Sequence, residues 1–288
     1  MSETFIPRIQ EFANSARMLA LVGASIKLRS DASVDPLIRK QIDLGARMAL
    51  GEVLDAADEG QVSPALTMVE MALSEAGELF QYPGRGSNWK IMDPAAMQAI
   101  GRASRSAFTR IRSIAETHPK MQETLKGTFL DVGTGVAGIA LEAAQTCPNI
   151  RVDAIDIWEP ALELARKNVA ESPYAERISV RNLDVCALDE HRRYSLAWLP
   201  TMFLKRPILK AALNRIARAS VNNAYLVAGL YTRPKDPFLA LMADLRTLRS
   251  GGDVVDPLDI RAMMEDRGYV DVQMSAAPVA TFVFGRLP

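Results

Sequence analysis

Residues 129–142 read Phe-Leu-Asp-Val-Gly-Thr-Gly-Val-Ala-Gly-Ile-Ala-Leu-Glu, and they carry the strongest structural signal in the chain. The apolar start predicts a buried strand, the three glycines (Gly133, Gly135 and Gly138) predict a sharp turn, and the end predicts a helix. Glycine is needed where the backbone turns sharply and a ligand comes close, and the start of the next helix offers unpaired N–H groups. Taken alone, this glycine spacing is a weak signal that also fits dinucleotide binding.

Downstream of Gly127, apolar runs alternate with helical patterns. The first predicted strand is the apolar run that begins at Thr128. Strands are predicted at residues 128–131, 151–156, 178–182, 195–199, 225–231, 270–274 and 280–284. Helices are predicted to start at or near residues 160, 207, 237 and 257. Such alternation specifies a mostly parallel sheet covered on both faces. We therefore expect an α/β fold with a Rossmann-like seven-stranded, mostly parallel sheet over residues 127–288.

Upstream of Gly127, the patterns are helical and strand signals are scarce. Three helix starts place a capping residue before a proline, at residues 35–36, 63–64 and 93–94, and proline suits the first helical turn. We expect helices over residues 5–28, 36–53 and 64–80 and a fourth from residue 94 onward. Residues 1–126 are therefore interpreted as an all-α N-terminal cap region.

Composition excludes several classes of protein. The chain has 288 residues, 49% of them hydrophobic, with 34 basic and 34 acidic side chains, as in an ordinary soluble globular protein. Without an excess of positive charge, no overall field attracts nucleic acid or an anionic membrane. Its two cysteines, Cys147 and Cys186, provide neither a zinc-binding spacing nor a disulfide framework, so no metal site is expected. Neither a secretory signal nor a membrane helix is visible, and we expect a cytoplasmic protein.

Three acidic residues sharpen the interpretation of the glycine turn. Asp131 lies two residues before Gly133, where a carboxylate would repel an anionic pyrophosphate and would suit a cationic ligand. Asp156 and Asp184 end the next two predicted strand regions. A single aspartate at a strand end is usually a cap or turn residue. Three of them in register with a glycine turn favour a ligand site instead.

At these residues the chain resembles the class I S-adenosylmethionine-dependent methyltransferases, whose first motif is an acid, any residue and then Gly-x-Gly. The resemblance covers residue 127 to the end of the chain. It implies that Asp131 faces the ammonium group of the cofactor, that Asp156 accepts hydrogen bonds from the ribose hydroxyls, and that Asp184 takes the adenine amino group. One departure is Ala137, where many members have a third glycine, although Gly138 follows directly.

The same resemblance implies further cofactor contacts. Apolar residues next to the acids would sandwich the adenine ring, and the glycines and the end of the fourth strand would complete the binding surface. The predicted cofactor residues other than the three acids are Gly133, Gly135, Ile157, Trp158, Val185 and Leu199.

Candidate substrate residues lie where ligands bind in open α/β sheets, outside the carboxyl ends of the strands. After the fourth strand these residues are Thr201, Met202 and Phe203, and Tyr231 closes the fifth strand. A loop rich in turn formers, residues 81–89, is expected to supply a lid. Its candidate substrate residues are Tyr82, Arg85 and Trp89.

Few side chains suggest acid–base catalysis. Tyr82 and Tyr231 are candidates for hydrogen bonding in catalysis. His118 and His191 are expected near the opposite, amino edge of the sheet, which argues against a catalytic role for either.

We therefore predict methyl transfer by in-line displacement to a small molecule, one of secondary metabolism, with the acceptor atom (carbon, nitrogen or oxygen) left open. Residues 199–202 lack the motif of DNA amino-methyltransferases, so no nucleic-acid partner is expected. Apolar N-terminal helices could pair two subunits as a homodimer or cover the sheet of their own chain. Three alternatives stay open: an NAD(P)-binding oxidoreductase, a non-catalytic cofactor-binding protein, and intramolecular displacement on S-adenosylmethionine that gives a cyclic amino acid.

Overall fold

The computed structural model describes residues 4–30, 33–87 and 92–288, and they form two compact units. One unit runs to Arg85, and the other begins at Gly86. No helix in the described residues is both long enough and apolar enough to cross a bilayer.

The first unit is all-helical, as the sequence predicts. Its helices are α1 (Phe5–Lys27), α2 (Pro36–Leu50), α3 (Val53–Ala56) and α4 (Glu59–Gln81). They pack around a small apolar cluster that includes Val22, Ile26, Ala46 and Leu54.

Two helix boundaries in this unit differ from the prediction. The helix expected to reach residue 53 ends at Leu50, because Gly51 has a positive φ of 60° and stops it. The helix expected from residue 64 begins five residues earlier, because Asp58 and Gln61 form a capping box at its start. Asp35 caps α2 as predicted, accepting hydrogen bonds from the amides of residues 37 and 38.

The second unit contains the predicted seven-stranded sheet. Its strands are β1 (Thr128–Val132), β2 (Arg151–Asp156), β3 (Ile178–Asn182), β4 (Tyr194–Pro200), β5 (Ser220–Tyr231), β6 (Val270–Ala276) and β7 (Ala280–Arg286). Their order is β3-β2-β1-β4-β5-β7-β6. The pairs among β1 to β5 are parallel, and β7 is antiparallel to both of its neighbours. The predicted fold class is thus confirmed, including the hairpin-like final pair.

Helices cover both faces of this sheet. The remaining helices are α5 (Pro94–Glu116), α6 (Pro119–Thr124), α7 (Gly138–Thr146), α8 (Glu159–Ala170), α9 (Arg206–Ala219), α10 (Pro237–Arg249) and α11 (Pro257–Glu265). Residues of α5, α7 and α8 form the apolar core on one face, and residues of α9 and α11 form the core on the other. Both faces of the parallel strands are therefore buried, which explains their nearly continuous apolar sequences.

Helix α5 belongs to the second unit, although the sequence-based division at residues 126/127 assigned it to the cap region. Its residues Phe108 and Ile111 are fully buried in the core on the face of the sheet that α7 and α8 cover. At its crossing with α7, a Cβ on Gly138 would lie 2.0 Å from the carbonyl oxygen of Gly101. The third glycine of the turn thus lets two helices approach. The compact units of the structure divide between residues 85 and 86. The division at 126/127, between a substrate cap and a cofactor-binding domain, stays a prediction.

Candidate functional site

The glycine turn between β1 and α7 lies at the carboxyl edge of the sheet. Gly133 and Gly135 have φ values of +67° and +57°, which L side chains rarely adopt. A Cβ on Gly133 would lie 3.2 Å from the ring of Pro200 at the end of β4. A Cβ on Gly135 would meet no atom within 4 Å. Gly133 therefore packs directly against the end of β4, whereas the space in front of Gly135 is free of protein atoms.

Asp131 lies beneath this turn and is fully buried. Its Oδ2 accepts a hydrogen bond of 2.6 Å from the hydroxyl of Thr134, whereas its Oδ1 has no partner in the described part of the chain. Burial raises the pKa of the Asp131 carboxyl to about 7, and repulsion by Asp156 adds to the increase against the lowering effect of the Thr134 hydrogen bond. A buried carboxylate oxygen without a donor is costly. It is the kind of group that a bound cation would satisfy.

Asp156 ends β2 and accepts three backbone hydrogen bonds. Oδ1 accepts from the amides of Ile157 (2.7 Å) and Trp158 (3.0 Å), and Oδ2 accepts from Gly135 (2.8 Å). Burial raises the pKa of this carboxyl, and the three amides oppose the increase. An ionised carboxylate has about four lone-pair sites, so these amides leave room for about one further donor. Two ribose hydrogen bonds, as the sequence suggested, would require one of these three amide bonds to change.

The three acids lie at or just after the carboxyl ends of three adjacent strands, as the sequence predicts. The amide of Thr134 donates to the carbonyl of Ile155 at 3.1 Å, which joins the glycine turn to β2. The amide of Leu183 donates to the carbonyl of Asp156 at 2.9 Å, which brings the chain before Asp184 alongside β2. Asp184 is exposed, and its carboxylate accepts a hydrogen bond of 2.8 Å from the amide of Cys186.

The predicted adenine-binding residues occupy different environments. Ile157 is 53% exposed at the edge of the sheet, and Val185 is buried in the core on the α9 face. Trp158 is half-buried and packs in a cluster with Met97 of α5 and Val136 of the glycine turn. Trp158 thus has a structural partner that the sequence did not suggest, and its contact with adenine stays a prediction. Leu199 is fully buried in the α9-side core, so it is the backbone of the β4 end that would be available to a ligand.

Three of the predicted substrate residues line one cavity. Thr201, Met202 and Tyr231 border a cavity of about 290 Å³ beyond the carboxyl ends of β4 and β5. Phe203 follows in the chain, is 37% exposed, and is not among the lining residues. The remaining walls come from β5, the β5–α10 loop, α10 and the region leading into α11, with lining residues Leu230, Arg233, Ala243, Asp244, Thr247, Asp253, Val254, Val255, Asp256, Pro257 and Asp259.

Sequence reasoning missed the cavity walls formed by α10 and the loop that follows it. The adjacent glycines 251 and 252 were the available signal. A Cβ on Gly252 would lie 2.3 Å from the carbonyl oxygen of Met202, so this loop must pass directly over the β4 end. Lys205 further connects the two segments through an ion pair of 3.2 Å with Asp253.

The predicted lid residues belong to the first unit or lie outside the described residues. Tyr82 caps the end of α4 and is 58% exposed. Arg85 forms an ion pair of 2.7 Å with Glu78 of the same helix. Trp89 lies outside the described residues.

Both histidines have structural partners away from the carboxyl edge. His118 precedes β1, where its Nδ1 lies 2.8 Å from the carbonyl of Ile114 and its ring meets Phe284 edge-on. His191 precedes β4, and its Nε2 lies 3.5 Å from the guanidinium of Arg218. That neither histidine acts in catalysis stays a prediction.

The fold and the placement of the three acids resemble those of the class I S-adenosylmethionine-dependent methyltransferases, the class that the sequence predicted. This resemblance rests on the strand order with an antiparallel β7, on the acid before the glycine turn, on Asp156 at the end of β2 and on Asp184 after β3. Residues 129–222 match the family model described as "Methyltransferase domain".

The curated relatives match over short segments. A tRNA1(Val) (adenine(37)-N6)-methyltransferase of Phocaeicola vulgatus is 51% identical over 58 residues, which is 20% of this chain and 24% of that protein. A ribosomal protein uL3 glutamine methyltransferase of Bradyrhizobium diazoefficiens is 39% identical over 79 residues, or 27% of this chain and 24% of that protein. The chain thus spans about a quarter of the length of these relatives.

Solved structures match over nearly the whole chain at low identity. An O-methyltransferase family protein from Burkholderia thailandensis has a TM-score of 0.66 at 12% identity and covers 98% of this chain and 97% of its own. The apo form of the S-adenosylmethionine-dependent methyltransferase SibL has a TM-score of 0.62 at 16% identity, with full coverage of both chains. At this identity, the likeness establishes the fold.

Proposed function

We propose that this protein transfers a methyl group from S-adenosylmethionine to a small-molecule acceptor, of the kind found in secondary metabolism. The observation that carries the proposal is the fully buried Asp131 carboxyl beneath the glycine turn, with Oδ1 lacking a partner in the described residues. An anionic pyrophosphate would add repulsion there, whereas a cationic amino-acid tail would supply the missing donor. The open space in front of Gly135 supports close approach of a ligand.

The chain's own residues would divide the work of holding the cofactor. Asp131 would bind its ammonium group, Asp156 its ribose and Asp184 its adenine amino group. When bound, the cofactor supplies a sulfonium-activated methyl group. Gly133 and Gly135 would let the backbone approach it, with Ile157, Trp158, Val185 and the Leu199 backbone as the remaining surface.

The acceptor would bind in the cavity beyond β4 and β5. Its volume of about 290 Å³ is at the lower end of the range for small-molecule sites. Met202 and Leu230 give it buried apolar walls that would help to align the acceptor atom for in-line attack. The lining also contains Arg233 and four acids, Asp244, Asp253, Asp256 and Asp259. A neutral amine or an activated carbon needs no strong base, whereas a hydroxyl acceptor does.

Tyr231 is the described residue that best fits a hydrogen-bonding role toward the acceptor. It lines the cavity, and the guanidinium of Arg246 lies 5.0 Å from the centre of its ring. Tyr82 and Arg85, together with Trp89, stay candidates for contacts with the acceptor.

A tRNA or protein acceptor is the second candidate, because the curated relatives are named for such substrates. The balanced charge of 34 basic and 34 acidic residues argues against a large nucleic-acid partner. The segments shared with those two relatives cover 20% and 27% of this chain.

One experiment separates these acceptors. The protein is incubated with methyl-labelled S-adenosylmethionine and, in parallel, with a metabolite extract, total tRNA and ribosomal proteins, and the products are identified by mass spectrometry. Label in a small molecule, with S-adenosylhomocysteine as by-product, supports the proposal. Label in tRNA or ribosomal protein supports the second candidate, and accumulation of methylthioadenosine indicates intramolecular displacement. Thermal stabilisation by NAD but not by S-adenosylhomocysteine would contradict the cofactor assignment.

We further propose that the protein forms a homodimer through its first unit. Helices α1 and α2 leave large apolar side chains exposed, including Phe5, Ile6, Ile9, Phe12, Leu37 and Met48. Exposed apolar side chains in this number on two helices favour association.

A further inference from the structure

Thr134 lies inside the glycine turn and is buried together with Asp131. Its hydroxyl carries one proton and donates it to Oδ2 of Asp131 at 2.6 Å. Its backbone is fixed as well, because its amide donates to the carbonyl of Ile155 at 3.1 Å. Thr134 is thus bonded to both β1 and β2, and its hydroxyl points at Asp131.

Because Thr134 occupies Oδ2, Oδ1 is the oxygen of Asp131 that a ligand can use. Oδ1 is buried and has no partner in the described residues. A hydrogen bond to one carboxylate oxygen also favours the ionised form of the whole group. Thr134 therefore affects both the orientation of the carboxyl group and its charge.

We propose that Thr134 is a positioning residue of the cofactor site: its hydroxyl holds Oδ2 of Asp131 and presents Oδ1, ionised, to the ammonium group of S-adenosylmethionine. The inference rests on the proposed function, since it requires a cationic ligand at this turn. Neither the spacing between Asp131 and the glycines nor the fold assigns a role to Thr134.

The groups around Asp131 set its charge at neutral pH. Burial is the largest cause that raises its pKa to about 7, and the negative charge of Asp156 on β2 acts in the same direction. The Thr134 hydroxyl lowers it, and the nearby backbone amide of Ala140 on α7 lowers it less, without reaching hydrogen-bond geometry with Oδ1. On the other side of β1, β4 places the uncharged Trp198 opposite Asp131.

Removal of the Thr134 hydroxyl should therefore make cofactor binding more sensitive to acid. Below its pKa, Asp131 is neutral and does not attract an ammonium group, and above that pKa it is ionised and does. If only the ionised form binds, affinity falls about tenfold for each pH unit below the pKa. A higher pKa in the variant moves this loss of affinity to higher pH.

The test is calorimetric titration of S-adenosylhomocysteine from about pH 5.5 to 8.5 into the intact protein and two variants. Thr134→Val keeps the branched shape and removes the proton donor, and Thr134→Ser keeps the donor. We expect the wild-type protein and Thr134→Ser to lose affinity with a midpoint near pH 7. For Thr134→Val we expect a midpoint about one pH unit higher, with roughly fivefold weaker binding at pH 7 and about tenfold weaker binding well below that pH.

A second ligand separates this role from a purely structural one. Methylthioadenosine has the nucleoside but no amino-acid tail, so Thr134→Val should bind it as the wild-type protein does. Equal loss of both ligands, or an unchanged midpoint for S-adenosylhomocysteine, would overturn the inference. Failure of the cofactor assignment, on which the proposed function rests, would look different, because the wild-type protein would then bind S-adenosylhomocysteine at no pH.

Discussion

At the scale of single residues, Asp156 has two tasks. Its carboxylate accepts the amides of Gly135, Ile157 and Trp158, and so holds the β1–α7 and β2–α8 turns together. The same group is the predicted ribose ligand. A substitution there should therefore affect both the stability of the turns and the affinity for the cofactor.

We expect Asp156→Ala to weaken S-adenosylhomocysteine binding by about 10- to 100-fold and to lower Tm, because hydrogen bonds to a charged group contribute roughly 1.5–3 kcal/mol. Titration calorimetry measures the first effect, and thermal unfolding measures the second. Asp156→Asn keeps one acceptor oxygen and should fall between the wild-type protein and the alanine variant.

Asp184→Ala is the matched control for stability, since Asp184 is exposed and its carboxylate accepts from the single amide of Cys186. It should lower Tm less than Asp156→Ala, because loss of a cap costs about 1 kcal/mol. A wild-type dissociation constant for Asp156→Ala would refute the ribose role.

At the scale of elements, the close crossing of α5 and α7 supports the glycine turn. Gly101 and Gly138 face each other at this crossing, where a Cβ on either would overlap an atom of the other helix or its turn. Asn168 of α8 adds a hydrogen bond of 2.9 Å to the carbonyl of Val136. Residues of three helices thus hold the turn in place.

Gly138→Ala should destabilise the second unit by about 2 kcal/mol or more, because its Cβ would lie 2.0 Å from a backbone carbonyl that cannot move alone. Denaturant unfolding monitored by circular dichroism measures the change. Gly77→Ala in α4 is the control, since no atom lies within 4 Å of its Cβ and alanine favours a helix by roughly 0.8–1 kcal/mol. Equal effects of the two substitutions would contradict the packing role of Gly138.

At the scale of the whole molecule, the two compact units differ in how much apolar surface they bury. The second unit has two large cores, one on each face of its sheet. The first has one small cluster and many exposed apolar side chains. We therefore expect the second unit, rather than the first, to fold as an isolated fragment.

A fragment of residues 86–288 should fold cooperatively and bind S-adenosylhomocysteine, whereas a fragment of residues 127–288 should aggregate. The shorter fragment lacks α5, whose Phe108 and Ile111 are fully buried in the core. Size-exclusion chromatography and thermal unfolding compare the two. A stable, monomeric 127–288 fragment would favour the division at residues 126/127.

The proposed homodimer makes a separate prediction about the intact chain. Phe12→Glu places a charge among the exposed apolar residues of α1 and should shift the protein from dimer to monomer in sedimentation velocity. Leu258→Glu on α11, which is 60% exposed, is the control and should leave the dimer intact. A wild-type protein that sediments as a monomer at micromolar concentration would exclude the dimer.

The chain's local patterns were sufficient for the α/β alternation, the glycine turn and the three acids at successive strand ends. This follows because strand and helix periods are local, and because the carboxyl ends of parallel strands meet at one edge whatever the details of packing. The two N-terminal boundaries that differed were also set locally, by the positive φ of Gly51 and the capping box at Asp58.

Tertiary structure alone decided which atoms of those residues are engaged and which helices belong together. The hydrogen bond of Asp156 to Gly135, the packing of Trp158 on Met97 and the inclusion of α5 in the second unit all join residues distant in sequence. The cavity likewise combines the ends of β4 and β5 with α10 and the loop before α11. Periodicity gives the direction of a side chain within its own element, whereas partners depend on how the elements pack.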